Sequence, residues 1–256
     1  MRKILLGCAL MLPLAAFAQQ RCEHTRPFEL SPDMDGVETV VFQVGPFDLD
    51  LKGTPGASAQ LQGKACASSA KKLDQLVFLH ERRGNQLVVS MDRDNDGWEF
   101  NLFGDNYAYM QLTAVLPDDV AVRVDIGSGD ADIDGVASLD LVIGSGDADV
   151  RRVAGPVSVV VGSGDAELTG IGPLDVGSIG SGDVGARDVT GDVRIGSIGS
   201  GDMDLNRVKG NVEVGTIGSG DLDIDTVSGD LRVRSIGSGE VNHHRVAGTQ
   251  ELPDQG

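Results

Sequence analysis

The sequence predicts an all-β protein: a single-stranded, right-handed parallel β-helix with coils of 17–19 residues, behind an irregular β-rich N-terminal part. Three observations carry that expectation. A four-residue motif recurs seven times, beginning at Gly127, Gly144, Gly162, Gly180, Gly199, Gly218 and Gly237; six copies read Gly-Ser-Gly-Asp and the last ends in Glu240. Successive copies stand 17, 18, 18, 19, 19 and 19 residues apart. A period near 20 marks a solenoid, in which each coil buries its apolar face only by stacking on its neighbours. Finally, no Phe, Tyr or Trp follows Tyr109, so the coils must pack a slim core of Val, Ile, Leu, Ala and Met.

In chain order, residues 1–18 read as an export signal. Arg2 and Lys3 precede a mostly apolar Ile4–Phe17, and Ala16-Phe17-Ala18 fits a cleavage site before Gln19. Only four residues separate Lys3 from Cys8, too short an apolar run for a lipoprotein signal. No later stretch has the roughly 18 apolar residues that span a bilayer. Residues 19–118 form the irregular β-rich segment. Phe47–Leu51 alternates apolar and acidic, while Leu76–His80 and Gln86–Met91 flank Glu81–Asn85 as a hairpin. Trp98, Phe100, Phe103, Tyr107 and Tyr109 cluster here, where they would cap an otherwise open solenoid end. Cys22 and Cys66 are expected to form a disulfide, since exported proteins keep such bonds.

Residues 119–248 are the repeat, and 249–256 a polar tail. One coil shows the pattern: Val212, Val214 and Ile217 precede Gly218–Asp221, then come Leu222, Ile224 and Val227. Alternation places Ile224 inward and Glu213 outward, and the apolar pattern places Ile217 inward as well. The three-residue steps to Ile217 and Val227 require each strand to bend or bulge, and the motif glycines are expected to supply positive φ at the corners. From Leu174 onward an extra residue enters before the motif, as at Gly177-Ser178 and Gly196-Ser197. Parallel crossovers are right-handed as a rule.

The Gly-Ser-Gly-Asp-x-Asp units, preceded by Leu112-Thr-Ala-Val-Leu-Pro117, resemble a bacterial family of β-strand-repeat adhesin candidates. This is a domain of unknown function related to the head domain of autotransporter adhesins and to an envelope-stress accessory protein of Gram-positive bacteria. The resemblance covers roughly residues 40–248. It implies an extracytoplasmic β-solenoid and no catalytic residues.

Removing residues 1–18 takes away two basic residues, leaving 19 Lys plus Arg against 39 Asp plus Glu, a net −20. Such a surface excludes nucleic acid and anionic membrane, which need a positive face. Asp92, Asp94 and Asp96, with Gly97, match the start of a calcium loop, but Phe103 stands where its bidentate Glu belongs. An acidic ladder is expected from stacking: Asp130, Asp147, Asp165, Asp183, Asp202, Asp221 and Glu240. A second column, Asp132, Asp149, Glu167, Asp204 and Asp223, is interrupted at Gly185. Unit charges ~5 Å apart in water repel by roughly 0.8 kcal/mol, so something must offset the ladder. Either each Asp accepts backbone N–H bonds at its own turn, or cations sit between neighbours. Adjacent His243 and His244 point to opposite faces and cannot chelate together.

The leading expectation is a non-catalytic exported scaffold without a cofactor, in the periplasm or at the cell surface, that meets a protein or surface partner. Its solenoid ends offer a route to self-association. The alternative is a calcium-binding solenoid stabilised at the acidic ladders. A polysaccharide-active enzyme ranks third, for want of loops and aromatics to wall a groove.

Overall fold

The computed structural model describes residues 22–94 and 107–253. Residues 1–18, expected to be an export signal and including Cys8, and Asp96, Gly97, Trp98, Phe100 and Phe103 lie outside the described residues. The N-terminal part supplies β1 (His24–Leu30), β2 (Thr39–Gly45), β3 (Asp48–Thr54), β4 (Gln60–Ala67), a short helix α1 (Ala70–Asp74), β5 (Leu76–Arg83), β6 (Gln86–Arg93) and β7 (Ala108–Pro117). Thereafter each coil gives two strands. They are β8 (Ala121–Ile126) and β9 (Ala131–Asp134), β10 (Ser138–Ile143) and β11 (Ala148–Arg151), and β12 (Val157–Val161) and β13 (Ala166–Ile171). Next come β14 (Leu174–Ile179) and β15 (Val184–Val189), β16 (Val193–Ile198) and β17 (Met203–Val208), and β18 (Val212–Ile217) and β19 (Leu222–Val227). The last are β20 (Leu231–Ile236) and β21 (Val241–Val246), with a short β22 (Gln250–Glu251).

Two 11-stranded sheets result. Sheet A runs β1-β4-β7-β3-β9 and then through the odd strands to β21; sheet B runs from β5 through β6-β2-β8 and the even strands to β22. All repeat strands pair in parallel, as the period predicts. The sheets face each other across an aliphatic core. In the coil of β18 and β19, Val212, Val214, Ile217, Leu222, Ile224 and Val227 are all buried, each contributing about 1.5–3 kcal/mol against exposure. Among the described residues no polar or charged side chain is buried in this core.

The expected kink has a definite form in sheet A. The residue before the third apolar position is left-handed in every repeat coil: Gly135, Arg152, Gly170, Asp188, Arg207, Thr226 and Arg245 have φ of 54–76°. That one turn lets Val136 and its equivalents face inward out of step. In sheet B the extra residue is Gly177, where the β12–β14 register shifts between Val159 and Val160; later coils keep the longer register.

One expectation is corrected. The motif glycines do not have positive φ. They are glycines because the stacked corners leave no space for a side chain. A Cβ on Gly146, Gly182, Gly201 or Gly220 would sit 1.8 Å from the carbonyl oxygen of the equivalent glycine one coil earlier.

The N-terminal part is woven into the stack. β2 and β3 pair in parallel with β8 and β9 on one side and with β6 and β7 on the other. Antiparallel β4 and β1 then close sheet A, and β5 closes sheet B. The hairpin of β5 and β6 turns at Gly84, with φ 65°. Cys22 is bonded to Cys66, tying the chain before β1 to β4, with Cα atoms 5.7 Å apart.

Candidate functional site

The corners carry the chemistry. Each aspartate of the motif follows its glycine at the start of a sheet A strand, and stacking superposes the seven acidic residues. The carboxylates are held by the neighbouring coil rather than by their own turn. Asp130 Oδ1 accepts the Asp147 N–H at 3.2 Å, Asp147 that of Asp165 at 3.1 Å, and Asp165 that of Asp183 at 2.9 Å. Asp183 accepts from Asp202 at 2.9 Å, Asp202 from Asp221 at 2.8 Å, and Asp221 from Glu240 at 2.8 Å. The same residues' carbonyls accept from the preceding coil, as Asp202 O does from Val184 N–H at 3.0 Å. Each bond to a charged acceptor contributes on the order of 1 kcal/mol net, comparable to the repulsion between neighbours. Every carboxylate from Asp130 to Asp221 thus accepts a backbone N–H, with the donor one coil further on rather than in its own turn.

A second ladder escaped the sequence reading. At the opposite corner Asp192 Oδ1 accepts the Asn211 N–H at 2.8 Å, Asn211 Oδ1 that of Asp230 at 3.0 Å, and Asp230 Oδ1 that of Thr249 at 2.7 Å. The Thr249 amide holds the Asp230 carboxyl below its ordinary range. Earlier coils carry Pro156 and Pro173 at this position, which have no N–H to satisfy. The signal was present as Gly191-Asp192, Gly210-Asn211 and Gly229-Asp230 at 19-residue intervals.

The two outer faces differ in charge. On sheet A, Asp50, Asp132, Asp149, Glu167, Gly185, Asp204 and Asp223 lie in one register column. Glu167 leans across the Gly185 gap, for a Cβ there would meet its Oε2 at 2.6 Å. Partial burial raises the Asp204 pKa, reinforced by Asp223, Asp202 and Asp183. Arginines flank this column: Arg151 pairs with Asp132, Arg152 with Asp134, and Arg207 with Asp188 at 2.6 Å. The hydrogen bond from Arg207 holds the Asp188 carboxyl low. On sheet B the equivalent column mixes both signs: Arg123, Asp140, Ser158, Asp175, Arg194, Glu213, Arg232 and Glu251. Its ends close as ion pairs, Arg123 with Asp140 at 2.6 Å and Arg232 with Glu251 at 3.0 Å. The sheet B column mixes arginines with carboxylates, whereas the sheet A column holds carboxylates alone and has its arginines beside it.

Of the expected Asp92, Asp94 and Asp96 set, two residues are described. Asp92 lies within β6, its Oδ1 accepting the Arg93 N–H at 2.7 Å. The Asp94 N–H donates to the Gln75 carbonyl at 2.8 Å, and Asp96 is outside the described residues. No three His, Cys, Asp or Glu side chains form a metal ligand set among the described residues. His243 continues the inward column of Ile224, and His244 the outward column of Asp225.

The Toastrack DUF4097 family model matches residues 47–244. A solved structure of a lipid-binding protein candidate from Parabacteroides distasonis is 17% identical, covering 90% of this chain and 98% of its own, with a TM-score of 0.50. An adhesin candidate from Bacteroides fragilis is 16% identical over 90% and 98%, with a TM-score of 0.48. A cell adhesion protein candidate from Clostridium sporogenes is 11% identical over 89% and 100%, with a TM-score of 0.36. These similarities concern the fold. No curated protein matches the chain.

Proposed function

The chain belongs to the Toastrack DUF4097 family, a family of unknown function, and on that premise we propose that it is a non-catalytic, exported scaffold. In this reading it presents the acidic face of sheet A to a basic protein or cationic cell-envelope surface. The observation that carries the reading is the contrast between faces: a nearly unbroken acidic column on sheet A against a column of mixed sign on sheet B. A net charge of −18 over the whole chain steers basic partners generally; the column gives that attraction a direction. The basic, then apolar residues 1–18 and the Cys22–Cys66 bond support export. The scaffold needs no calcium, because the Oδ1 atoms from Asp130 to Asp221 already accept amides.

The test is capture from a cell-envelope extract by the mature protein and by the triple variant Asp132→Asn, Asp149→Asn and Glu167→Gln. Loss of the captured partners with the variant, and retention with Glu213→Gln on sheet B, is expected. Equal capture by both would overturn the assignment of the face. Calorimetry in millimolar calcium and in chelator should give melting temperatures within a few degrees; a larger rise that disappears in Asp202→Asn plus Asp221→Asn would replace the scaffold reading with a calcium-dependent one.

A further inference from the structure

The two ends of the stack are unlike. At the N-terminal end, antiparallel β1, β4 and β5 finish the sheets. The outermost strand of sheet A there holds Pro27, and that of sheet B holds Glu81, Arg82 and Arg83. Proline and charge are the usual devices that keep an edge from pairing. At the C-terminal end, among the described residues, β21 pairs only with β19, and β22 covers only Leu231 and Arg232 of β20. Ile236 and Val246 remain half-buried against the core, and Leu252 is 36% exposed. The apolar core therefore continues to this end with its last layer partly uncovered.

The register of β21 dictates what fits on it. The Leu222 N–H donates to the Glu240 carbonyl at 2.9 Å. Main-chain groups alternate in direction along a strand, so those of Asn242 and His244 also turn to β19, while those of Val241 and His243 face the open edge. Side chains alternate as well: Val241 and His243 inward, Glu240, Asn242 and His244 outward. The left-handed Arg245, with φ 54°, ends the regular stretch.

We propose that β21 pairs antiparallel with β21 of a second copy, tail to tail about a two-fold axis centred on Asn242. Val241 then lies opposite the second copy's His243, and the two residues exchange both main-chain hydrogen bonds; the axis repeats the pair. All inward residues stay inward. Glu240 lies opposite His244 of the second copy, an outward, closely spaced pair of carboxylate and imidazole, and the latter donates an N–H in either protonation state. Shifting the register by two residues toward the C-terminus sets His243 against itself and Val241 against the left-handed Arg245, losing both matches. Because the strand order at the N-terminal end differs, the pairing closes at two copies and builds no filament. It is independent of what sheet A binds.

Sedimentation equilibrium of the mature protein, from micromolar to near-millimolar concentration, is expected to show a monomer–dimer equilibrium. His243→Pro removes an edge-facing N–H while leaving the bonds to β19, and should leave a monomer. Glu240→Lys should weaken association several-fold, and adding His244→Glu should restore it. A wild type that stays monomeric throughout, or a Glu240→Lys variant that associates as tightly as wild type, would overturn the pairing. Should His243→Pro fail to fold, the reversal and its rescue decide the question alone.

Discussion

At the residue scale, two kinds of position set the corners. Gly201 admits no Cβ, because Gly182 O would lie 1.8 Å away and belongs to the backbone. Gly201→Ala must force adjacent coils apart and is expected to cost more than about 3 kcal/mol in denaturant titration. Ser200→Ala beside it should change stability by under about 0.5 kcal/mol. The aspartates behave differently, because an amide oxygen can replace a carboxylate oxygen. Asn211 already does so in the second ladder, accepting the Asp230 N–H at 3.0 Å. Asp202→Asn should therefore leave stability near wild type or raise it, as one charge leaves the column. Asp202→Ala strands the Asp221 amide and should cost about 1 kcal/mol; thermal melts of the two variants against wild type distinguish the roles of shape and charge.

At the element scale, pH acts in opposite directions on neighbouring strands. The Asp204 pKa is raised, so the stability gained from its protonated form is complete below the ordinary value of 3.8 and lost as pH rises through the folded value. Asp188 and Asp230 are lowered; their contribution is present above 3.8 and lost as pH falls through their folded values. Asp204→Asn is thus expected to raise the melting temperature at neutral pH and to lose that advantage in acid, whereas Asp188→Asn should lower it at neutral pH and converge with wild type in acid. Such columns also show how far the sequence could be read. The period placed the strands; Ile224 is inward as alternation requires, and Ile217 is inward through the expected break in it. Glu213, read as an ordinary outward residue, stands between Arg194 and Arg232 and pairs with Arg234; a single coil cannot reveal what its neighbours place alongside. The carboxylate donors were hidden for the same reason, lying one coil and 17–19 residues away.

At the scale of the whole molecule, the coil of β2 and β3 lies between β6–β7 and β8–β9, so the chain doubles back before the repeat begins. No local signal announces this, because the partners of Thr39–Thr54 lie at residues 86–90, 111–117, 121–126 and 131–134. Each later coil rests only on its neighbours, so stability is close to a sum over coils. A chain ending at Gly210 should fold with a lower melting temperature by circular dichroism, whereas one lacking residues 22–118 should not fold cooperatively. The consequence reaches into synthesis, where the chain emerges from its N-terminus. β2 emerges early yet has no lateral partner until β6 follows, and β3 none until β7; their layer is flanked on both sides only after β9 has appeared. Until then β2 and β3 are paired along one side only. Past that point every coil finds a finished template waiting, and growth becomes a zipper that advances one coil at a time.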